Sequence, residues 1–523
     1  MDSDAAPARR PYAAPLRNAS APLEEGAAVH RVPIRPSAGL LVMIAAAACA
    51  AAAPVTASPA GDLAGSWGGV LVHGGDSTSM ALEFERAGGD TLHLRVSLPV
   101  IHLDRVPLGR FVPAARGDSI LCGPFRLALD PRAGRLGGTM PAALVPVYTV
   151  PFELRRVEGF ETPARAPLEG PVRRPRWTYE AGAPIWAGTR VAGGTVYAGD
   201  TSGTVHALDA ATGERRWTFR AAGPVRVRPT VAGGAVWFQA DDGYLYRVRA
   251  ADGTLEWKRR IIESRIERLP FHDPKSRYDR FGADVVVWED LLFAGTHEGV
   301  MLALDRDTGT ERWSFRAGDA ILAAPAVAGG VLVFGGYDGR VYALDARTGG
   351  LRWSHDAKAP VVSTPAIHDG AAIVGTRGYD LLALALHDGA LRWKRYVWMS
   401  WVESSPIIAA GTAYVGSSDA AALFAFDAAS GRRNWKTDVH GWAWGQPAVA
   451  GDRLYAGTSG QVGYPAAHRA EVLALDRASG AVLWRFAADA PESGAFGFPG
   501  SVSVGHGGVF AAGLDGRVYA FDE

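Results

Sequence analysis

The sequence predicts an all-β protein: an eight-bladed β-propeller of four-stranded antiparallel blades, preceded by a small antiparallel β-barrel or sandwich. Three observations predict it. A unit of about forty residues recurs eight times after residue 176. The 523-residue chain carries 64 glycines and 33 prolines, so it must turn very often. Its apolar residues alternate over short runs, which is the period of a strand half-buried on a sheet.

Residues 1–60 read as a leader with an export signal, otherwise disordered. His30, Arg31 and Arg35 precede an apolar run from Gly39 to Ala53, and Val55-Thr56-Ala57 offers a small-residue cleavage site. That run is short for a bilayer span and mostly alanine. Ala46-Ala47-Ala48-Cys49 is a candidate lipoprotein site that lacks the large aliphatic residue usual three before the cysteine, so membrane attachment enters only through lipidation at Cys49. With Cys49 removed or acylated, Cys122 is the remaining thiol and no intramolecular disulfide forms. Lys plus Arg and Asp plus Glu both total 54, a formal net charge of zero, which removes the electrostatic pull a nucleic-acid partner needs.

Residues 61–157 form the small β-domain. Runs such as Met80-Ala81-Leu82-Glu83-Phe84-Glu85 and Phe125-Arg126-Leu127-Ala128-Leu129 alternate, and Gly88-Gly89-Asp90, Arg116-Gly117-Asp118 and Pro131-Arg132-Ala133-Gly134 punctuate them, giving seven or eight strands. Through "LAGSWGGVLV" and "FELRRV" this region resembles the β-domain that precedes the catalytic domain of some exported bacterial hydrolases. No hydrolase follows, so the likeness implies a fold and no chemistry. Residues 158–175 are a linker, with Pro163, Pro167, Pro171 and Pro175 keeping it extended.

Residues 176–523 carry the repeat. "ALDAATGERRW" at 207–217 recurs as "ALDRDTGTERW", "ALDARTGGLRW", "AFDAASGRRNW" and "ALDRASGAVLW", with looser copies ending at Trp257 and Trp393. The closing tryptophans are Trp177, Trp217, Trp257, Trp313, Trp353, Trp393, Trp435 and Trp484. In the first unit, Ile185–Val191, Thr195–Ala198 and Thr204–Leu208 read as three strands and a fourth starts at Trp217. Four-stranded units closed in a circle leave only short, protected sheet edges. The chain stops just after a third strand, whereas Trp177 opens an orphan fourth strand, so the 177 strand is expected to complete the last blade.

The spacing of Ala, then Asp two later, Gly six later and Trp ten later is similar to the tryptophan-docking motif of the pyrroloquinoline-quinone (PQQ) repeat propellers. That family contains quinoprotein alcohol dehydrogenases and BamB-like outer-membrane assembly lipoproteins. The physics agrees: a flat indole needs a thin slot, small Ala and side-chain-free Gly leave one, and Asp satisfies turn amides. Arg247 stands where Ala is expected, which predicts a looser junction or an outward-pointing arginine.

In the family, the loop from a fourth strand to the next first strand lies on the face that holds the quinone. Here those segments carry Arg226 and Arg228, Trp398 with Trp401 and Glu403, Trp442 with Trp444, and Phe496 with Phe498. The resemblance implies two adjacent cysteines and clustered acidic and amide metal ligands in an enzyme. This chain has no cysteine after Cys122, Glu403 stands alone, and Gln446 is the nearest amide, so neither PQQ nor a metal is expected. Asp242-Gly243, Asp338-Gly339 and Asp515-Gly516 occupy the same hairpin position in their repeats and read as turns rather than calcium loops. His297, His440, His468 and His506 lack metal-ligand spacing. The extra length between Trp257 and Trp313, "RRIIESRIERLPFHDPKSRYDRF", reads as a solvated excursion on the same face or part of a binding surface.

The expected function is a non-catalytic exported scaffold that binds envelope protein segments through the nine mouth residues, at the periplasm or the periplasmic face of the outer membrane. The alternatives are a PQQ-dependent dehydrogenase and a carbohydrate-binding propeller using the paired tryptophans.

Overall fold

The computed structural model describes residues 59–73, 76–141, 150–162, 165–269 and 276–523. The export signal, its cleavage site and Cys49 lie outside the described residues. Among the described residues no helix is long and apolar enough to cross a membrane.

Among the described residues the N-terminal domain is a single nine-stranded antiparallel sheet, one or two strands more than expected. Its strands are β1 (Gly65–His73), β2 (Asp76–Arg86), β3 (Leu92–Leu98), β4 (Leu103–Phe111), β5 (Ala114–Arg116), β6 (Ser119–Cys122), β7 (Phe125–Asp130), β8 (Arg135–Thr139) and β9 (Pro151–Val157), in spatial order 4-3-2-1-9-8-7-6-5. The sheet curls on itself. Trp67 and Leu71 of β1, Leu94 of β3, Leu127 of β7 and Leu154 of β9 share one core, and Phe111 from β4 lies over Gly123 between β6 and β7. Cys122 is buried in that core, where desolvation pushes its thiol up to about 12 and leaves it unreactive.

Of the linker, residues 158–162 and 165–175 are described; they contain no helix and are fastened rather than free. Arg165 grips Asp438 with a bond of 2.8 Å, Leu168 enters the core between blades 6 and 7, and Val172 bridges to Arg485.

The propeller consists of eight four-stranded sheets. Blade 1 spans 189–220, blade 2 230–260, blade 3 286–316, blade 4 326–356, blade 5 366–396, blade 6 407–438 and blade 7 448–487. Blade 8 combines 503–522 with β10 (Trp177–Glu180), which pairs antiparallel with Arg517–Asp522 in the register Trp177↔Ala520. The ring therefore closes through strand exchange between its two ends, as expected. Blade 1 consists of β11 (Thr189–Ala192), β12 (Thr195–Gly199), β13 (Thr204–Asp209) and β14 (Arg215–Arg220). Its first strand starts four residues later than expected because Ile185–Gly188 forms a lead-in across the mouth. Gly188 has φ +90°, and a Cβ there would stand 2.0 Å from the Ser501 carbonyl.

The tryptophans dock as the motif requires. Seven of the eight donate Nε1–H to a turn carbonyl of the next blade; Trp217 reaches Ala250 at 2.9 Å and Trp393 reaches Ala428 at 3.0 Å. Trp484 packs on Phe521 at 5.2 Å, and its Nε1 has no partner among the described residues. The motif glycine is the floor of the slot: a Cβ on Gly431 would lie 2.6 Å from the Trp393 ring. The motif aspartate caps its own turn, with Asp209 accepting from Ala211 and Thr212 amides at 2.9 and 3.0 Å. Arg247 does not point out: it pairs with Glu256 of its own blade at 3.1 Å and reaches across to Asp307 of blade 3 at 3.3 Å. The slot beside it is nonetheless the widest, with Trp257 3.2 Å from a Cβ on Gly309.

Candidate functional site

All eight lead-ins converge on the ring axis, where they line one small cavity of about 90 Å³, from Ala187 before blade 1 to Ser501 before blade 8. Short extended segments with small residues and glycines produce this. Gly445 meets Gly500 so closely that a Cβ there would stand 2.2 Å from the Gly500 carbonyl.

The cavity's charges are paired. Arg228 donates to Asp284 through Nε at 2.8 Å and through its backbone amide at 2.7 Å, and reaches Gln446 at 3.5 Å. Arg377 donates to Glu403 at 2.5 Å, and both side chains are about nine-tenths buried. Arg226 bonds Asp241 at 3.1 Å; burial and the neighbouring Arg268 cation lower its pKa. Beside the Arg228–Asp284 pair the Arg190 guanidinium is pushed down to about 10, chiefly by Arg228.

The described end of the insertion between blades 2 and 3, residues 276–282, crosses the mouth. These residues touch five blades. Arg277 pairs with Asp319 of the blade 3–4 connection at 2.7 Å, and the Tyr337 hydroxyl of blade 4 donates to the Arg277 carbonyl. Arg377 of blade 5 donates to the carbonyls of Arg277 and Tyr278 at 2.5 and 3.3 Å. Tyr278 meets Trp401 before blade 6 at 5.5 Å, and Phe281 meets Trp186 before blade 1 at 6.2 Å. The Gly282 amide bonds the Arg226 carbonyl at 3.0 Å. Under this strap His297 sits 3.6 Å from Asp279; burial first, then Arg268, holds it neutral with its pKa near 4.

The mouth tryptophans have separate fates. Trp398 is 7% exposed and belongs to the core of the N-terminal domain, with Tyr396 at 5.1 Å and His73 at 6.2 Å. Trp401 is half-buried, under Arg377 at 4.7 Å. Trp442, 3% exposed, is stacked on half-buried Trp444 at 4.7 Å and edged by Tyr464 and His468. Tyr464 also donates to Asp419 at 2.6 Å, and desolvation raises that carboxyl to about 6. His468, enclosed by the same rings, falls to about 3 through burial.

Phe498 is fully buried between blades 7 and 8, and Phe496 sits in a two-stranded ribbon of Ser459–Gln461 with Ala495–Gly497. The expectation of one exposed aromatic patch is thereby corrected: Trp398, Trp442, Phe496 and Phe498 are interior residues. The stacked pair also offers no free two-sided face for a sugar. Arg228 and Glu403 do line the axial cavity together, whereas Arg226 is held on Asp241 outside that lining.

Sequence reasoning missed Arg377, Tyr278, Asp284 and Trp186. Arg377 had a signal, since it stands at the turn position held by Thr201, Asp241, His297 and Tyr337 in other blades, all of which face the lead-ins. Among the described residues no group of His, Cys, Asp and Glu has metal-site geometry. The carboxylates of Asp242, Asp338 and Asp515 accept from the hydroxyls of Tyr246, Tyr342 and Tyr519 and from turn amides, so they act as turn caps.

A PQQ cofactor fits this site poorly. The cavity of about 90 Å³ is well below the roughly 300 Å³ where small-molecule sites begin, and Tyr278, Asp279, Phe281 and Gly282 of the strap take up part of its wall. Its carboxylates already hold arginines rather than facing an open cation position.

The family described as outer membrane protein assembly factor BamB matches residues 168–269, 264–405 and 397–523. A curated BamB from Alteromonas naphthalenivorans is 43% identical over 49 residues; the match spans 9% of this chain and only 12% of that relative's length. The solved BamB of Moraxella catarrhalis superposes with a TM-score of 0.51 at 18% identity, over 67% of this chain and 97% of that one. A quinohemoprotein alcohol dehydrogenase from Comamonas testosteroni does so with 0.50 at 14% identity, over 67% and 76%. At these identities the two structures share the fold with this chain and carry no statement about its chemistry.

Proposed function

The chain belongs to the family described as outer membrane protein assembly factor BamB, and from that premise we propose that it is a non-catalytic, exported propeller that binds segments of other envelope proteins. The observation that carries this reading is the strapped mouth. Where a quinoprotein needs an open cofactor chamber, this chain fills the axis with its own Tyr278–Gly282 segment and with the Arg228–Asp284 and Arg377–Glu403 pairs. Buried pairs held this tightly are rigid, and their arginine donors are spent on protein carboxylates rather than aimed at a substrate.

The strap itself then becomes the accessible surface of that face. Arg277 is exposed, and Tyr278, Arg280, Trp186, Trp401 and Trp444 are half-buried around it. Half-buried aromatics interleaved with arginine suit a peptide-binding surface, because they bring contact area at little conformational cost. The periplasm, or the periplasmic face of the outer membrane, is the compartment this role requires.

Two measurements test the reading together. Apo-protein incubated with PQQ and Ca²⁺ and then gel-filtered is expected to retain no quinone absorbance and to reduce no dye with alcohols; retained quinone with turnover overturns it. Cross-linking in the native envelope is expected to capture outer-membrane assembly proteins, and an Arg277→Glu, Arg280→Glu variant is expected to lose them. Capture that the variant leaves unchanged removes the mouth from the binding surface.

A further inference from the structure

The clefts between neighbouring blades differ in how their outer ends are plugged. Two residues beyond the docking tryptophan, Phe219 lies on Tyr246 of the next blade at 5.6 Å, Phe315 on Tyr342 at 5.5 Å and Phe486 on Tyr519 at 5.1 Å. Tyr179 lies on His206 in the same way, at 5.5 Å. Between blades 5 and 6 the receiving aromatic is present, as Phe424 stacked on Phe426 at 5.7 Å, but the plug is Arg395. Its guanidinium turns aside to the Gly431 and Ser430 carbonyls, at 2.7 and 3.0 Å.

A cavity of about 320 Å³ remains, within the size range of small-molecule sites. Val100 of the N-terminal domain, Val397, Trp398 and the two phenylalanines give it apolar walls, and Arg395, Arg432, Arg433 and Lys436 give it a rim of four cations. Fourth-strand arginines elsewhere pair with their motif aspartates, as Arg312 does with Asp305 at 2.7 Å and Arg352 with Asp345 at 2.6 Å. Blade 6 has Asn434 in that place, and Asp427 spends its carboxylate on Ser430. Among the described residues Arg432, Arg433 and Lys436 have no carboxylate within 4 Å, and nearby Asp438 is held by Arg165 and lies 3.7 Å from His102. The neighbouring cleft between blades 4 and 5 has the smaller His355 ring at the plug position, bonded to the Gly389 carbonyl, and its Lys358 and Lys394 are balanced by Asp356 and Asp380. Of these two clefts, the one that the N-terminal domain covers combines an apolar chamber with cations that lack a balancing carboxylate.

We propose that this cavity binds a single-chain anionic amphiphile, its apolar tail against Val100, Trp398 and Phe424 and its carboxylate or phosphate head on Arg432, Arg433 and Lys436. The tail gains from burial and the head from charge-assisted bonds with guanidinium groups that no protein carboxylate occupies. This inference is independent of the role of the mouth.

The test is titration of the full chain with dodecyl phosphate and with dodecanoate, below their micelle concentrations, followed by calorimetry and tryptophan fluorescence. The expected result is saturable binding of one molecule of at least one anion, at least about tenfold tighter than dodecanol, a difference that one charged contact supplies. Inorganic phosphate is expected not to bind. Arg395→Phe, which restores the plug used at other junctions, is expected to abolish binding while folding normally. Arg432→Ala with Arg433→Ala is expected to weaken binding at least about tenfold, and serves if the first variant does not fold. Equal affinity for dodecanol, binding that both variants leave intact, or attachment to phosphatidylglycerol vesicles without binding of either free anion overturns the proposal.

Discussion

A single methyl group added to the floor of two different tryptophan slots separates the docking argument from ordinary backbone strain. Gly431 and Gly309 have nearly the same left-handed backbone, φ +68° and +70°, so alanine at either position carries a similar conformational cost of roughly 1–2 kcal/mol. The slots differ. The new Cβ would stand 2.6 Å from the Trp393 ring at position 431 but 3.2 Å from the Trp257 ring at position 309. Only the first is a hard overlap, and overpacking of that kind adds about 1–3 kcal/mol. Gly431→Ala is therefore expected to cost about 2–5 kcal/mol in total, and Gly309→Ala little more than the backbone term. With an unfolding entropy of about 2.1 cal/mol/K per residue over the ring of about 350 residues, each kcal/mol moves Tm by about 1.4 °C. Differential scanning calorimetry is expected to show losses of about 3–7 °C for Gly431→Ala and about 1.5–3 °C for Gly309→Ala. In a Trp393→Ala background the steric part should vanish, leaving a coupling of about 1–3 kcal/mol in the double-mutant cycle. Equal shifts for the two glycine variants, or an unchanged cost once the indole is gone, would refute the slot argument.

Three further outcomes are expected. Removing residues 176–181 deletes the ladder to Arg517–Asp522 and the Trp177 Nε1 bond to the Ala210 carbonyl, so the whole ring should melt earlier by at least the equivalent of a lost core tryptophan, about 3–5 kcal/mol; a normal melt contradicts closure by β10. Trp398→Ala empties the contact between the N-terminal domain and blades 5 and 6 at a similar cost, and should turn one calorimetric transition into two and expose residues 158–175 to protease; an unsplit transition with an unchanged cleavage rate counts against that interface. Asp419 is protonated more readily folded, with its pKa near 6, than unfolded, near 3.8, so its contribution to stability falls as pH rises through that window. Asp419→Asn should then gain up to about 3 kcal/mol over the parent at pH 8 and nothing at pH 3.5 in urea titrations, and a pH-independent gain would remove the burial argument.

The ring was legible in the sequence because its constraint is local and repeated. Ala207, Asp209, Gly213 and Trp217 each solve one steric or hydrogen-bonding requirement within eleven residues, and the next copy solves it again, so spacing alone gave the blade count and the exchange of β10. The N-terminal domain had no such repeat, and short runs such as Ala114–Arg116 are too brief to signal a strand, which explains the strand missed there. Arg247 shows a different limit. Its partner Asp307 is sixty residues away, and no local pattern announces a clamp of that kind.

The mouth was hard to read for a related reason. Trp401 and Trp442 occupy the same phase of adjacent units, and nothing within either unit distinguishes them, yet one faces the strap and the other is walled in by Tyr464 and His468. What separates them are insertions in other blades: 276–282 from the blade 2–3 connection and 459–469 within blade 7. An aromatic residue at a repeat's variable position is thus a statement about whichever non-repeated segment reaches it. The same logic accounts for Trp398, which reads as a surface ring when the propeller is considered alone and is a core residue once β1–β9 are packed against it. Non-repeated segments therefore decide which face of this ring is open. They cross the axis with Tyr278, whose carbonyl Arg377 of the repeat turn holds, and they roof the cleft at Phe424 without neutralising the cations at its rim.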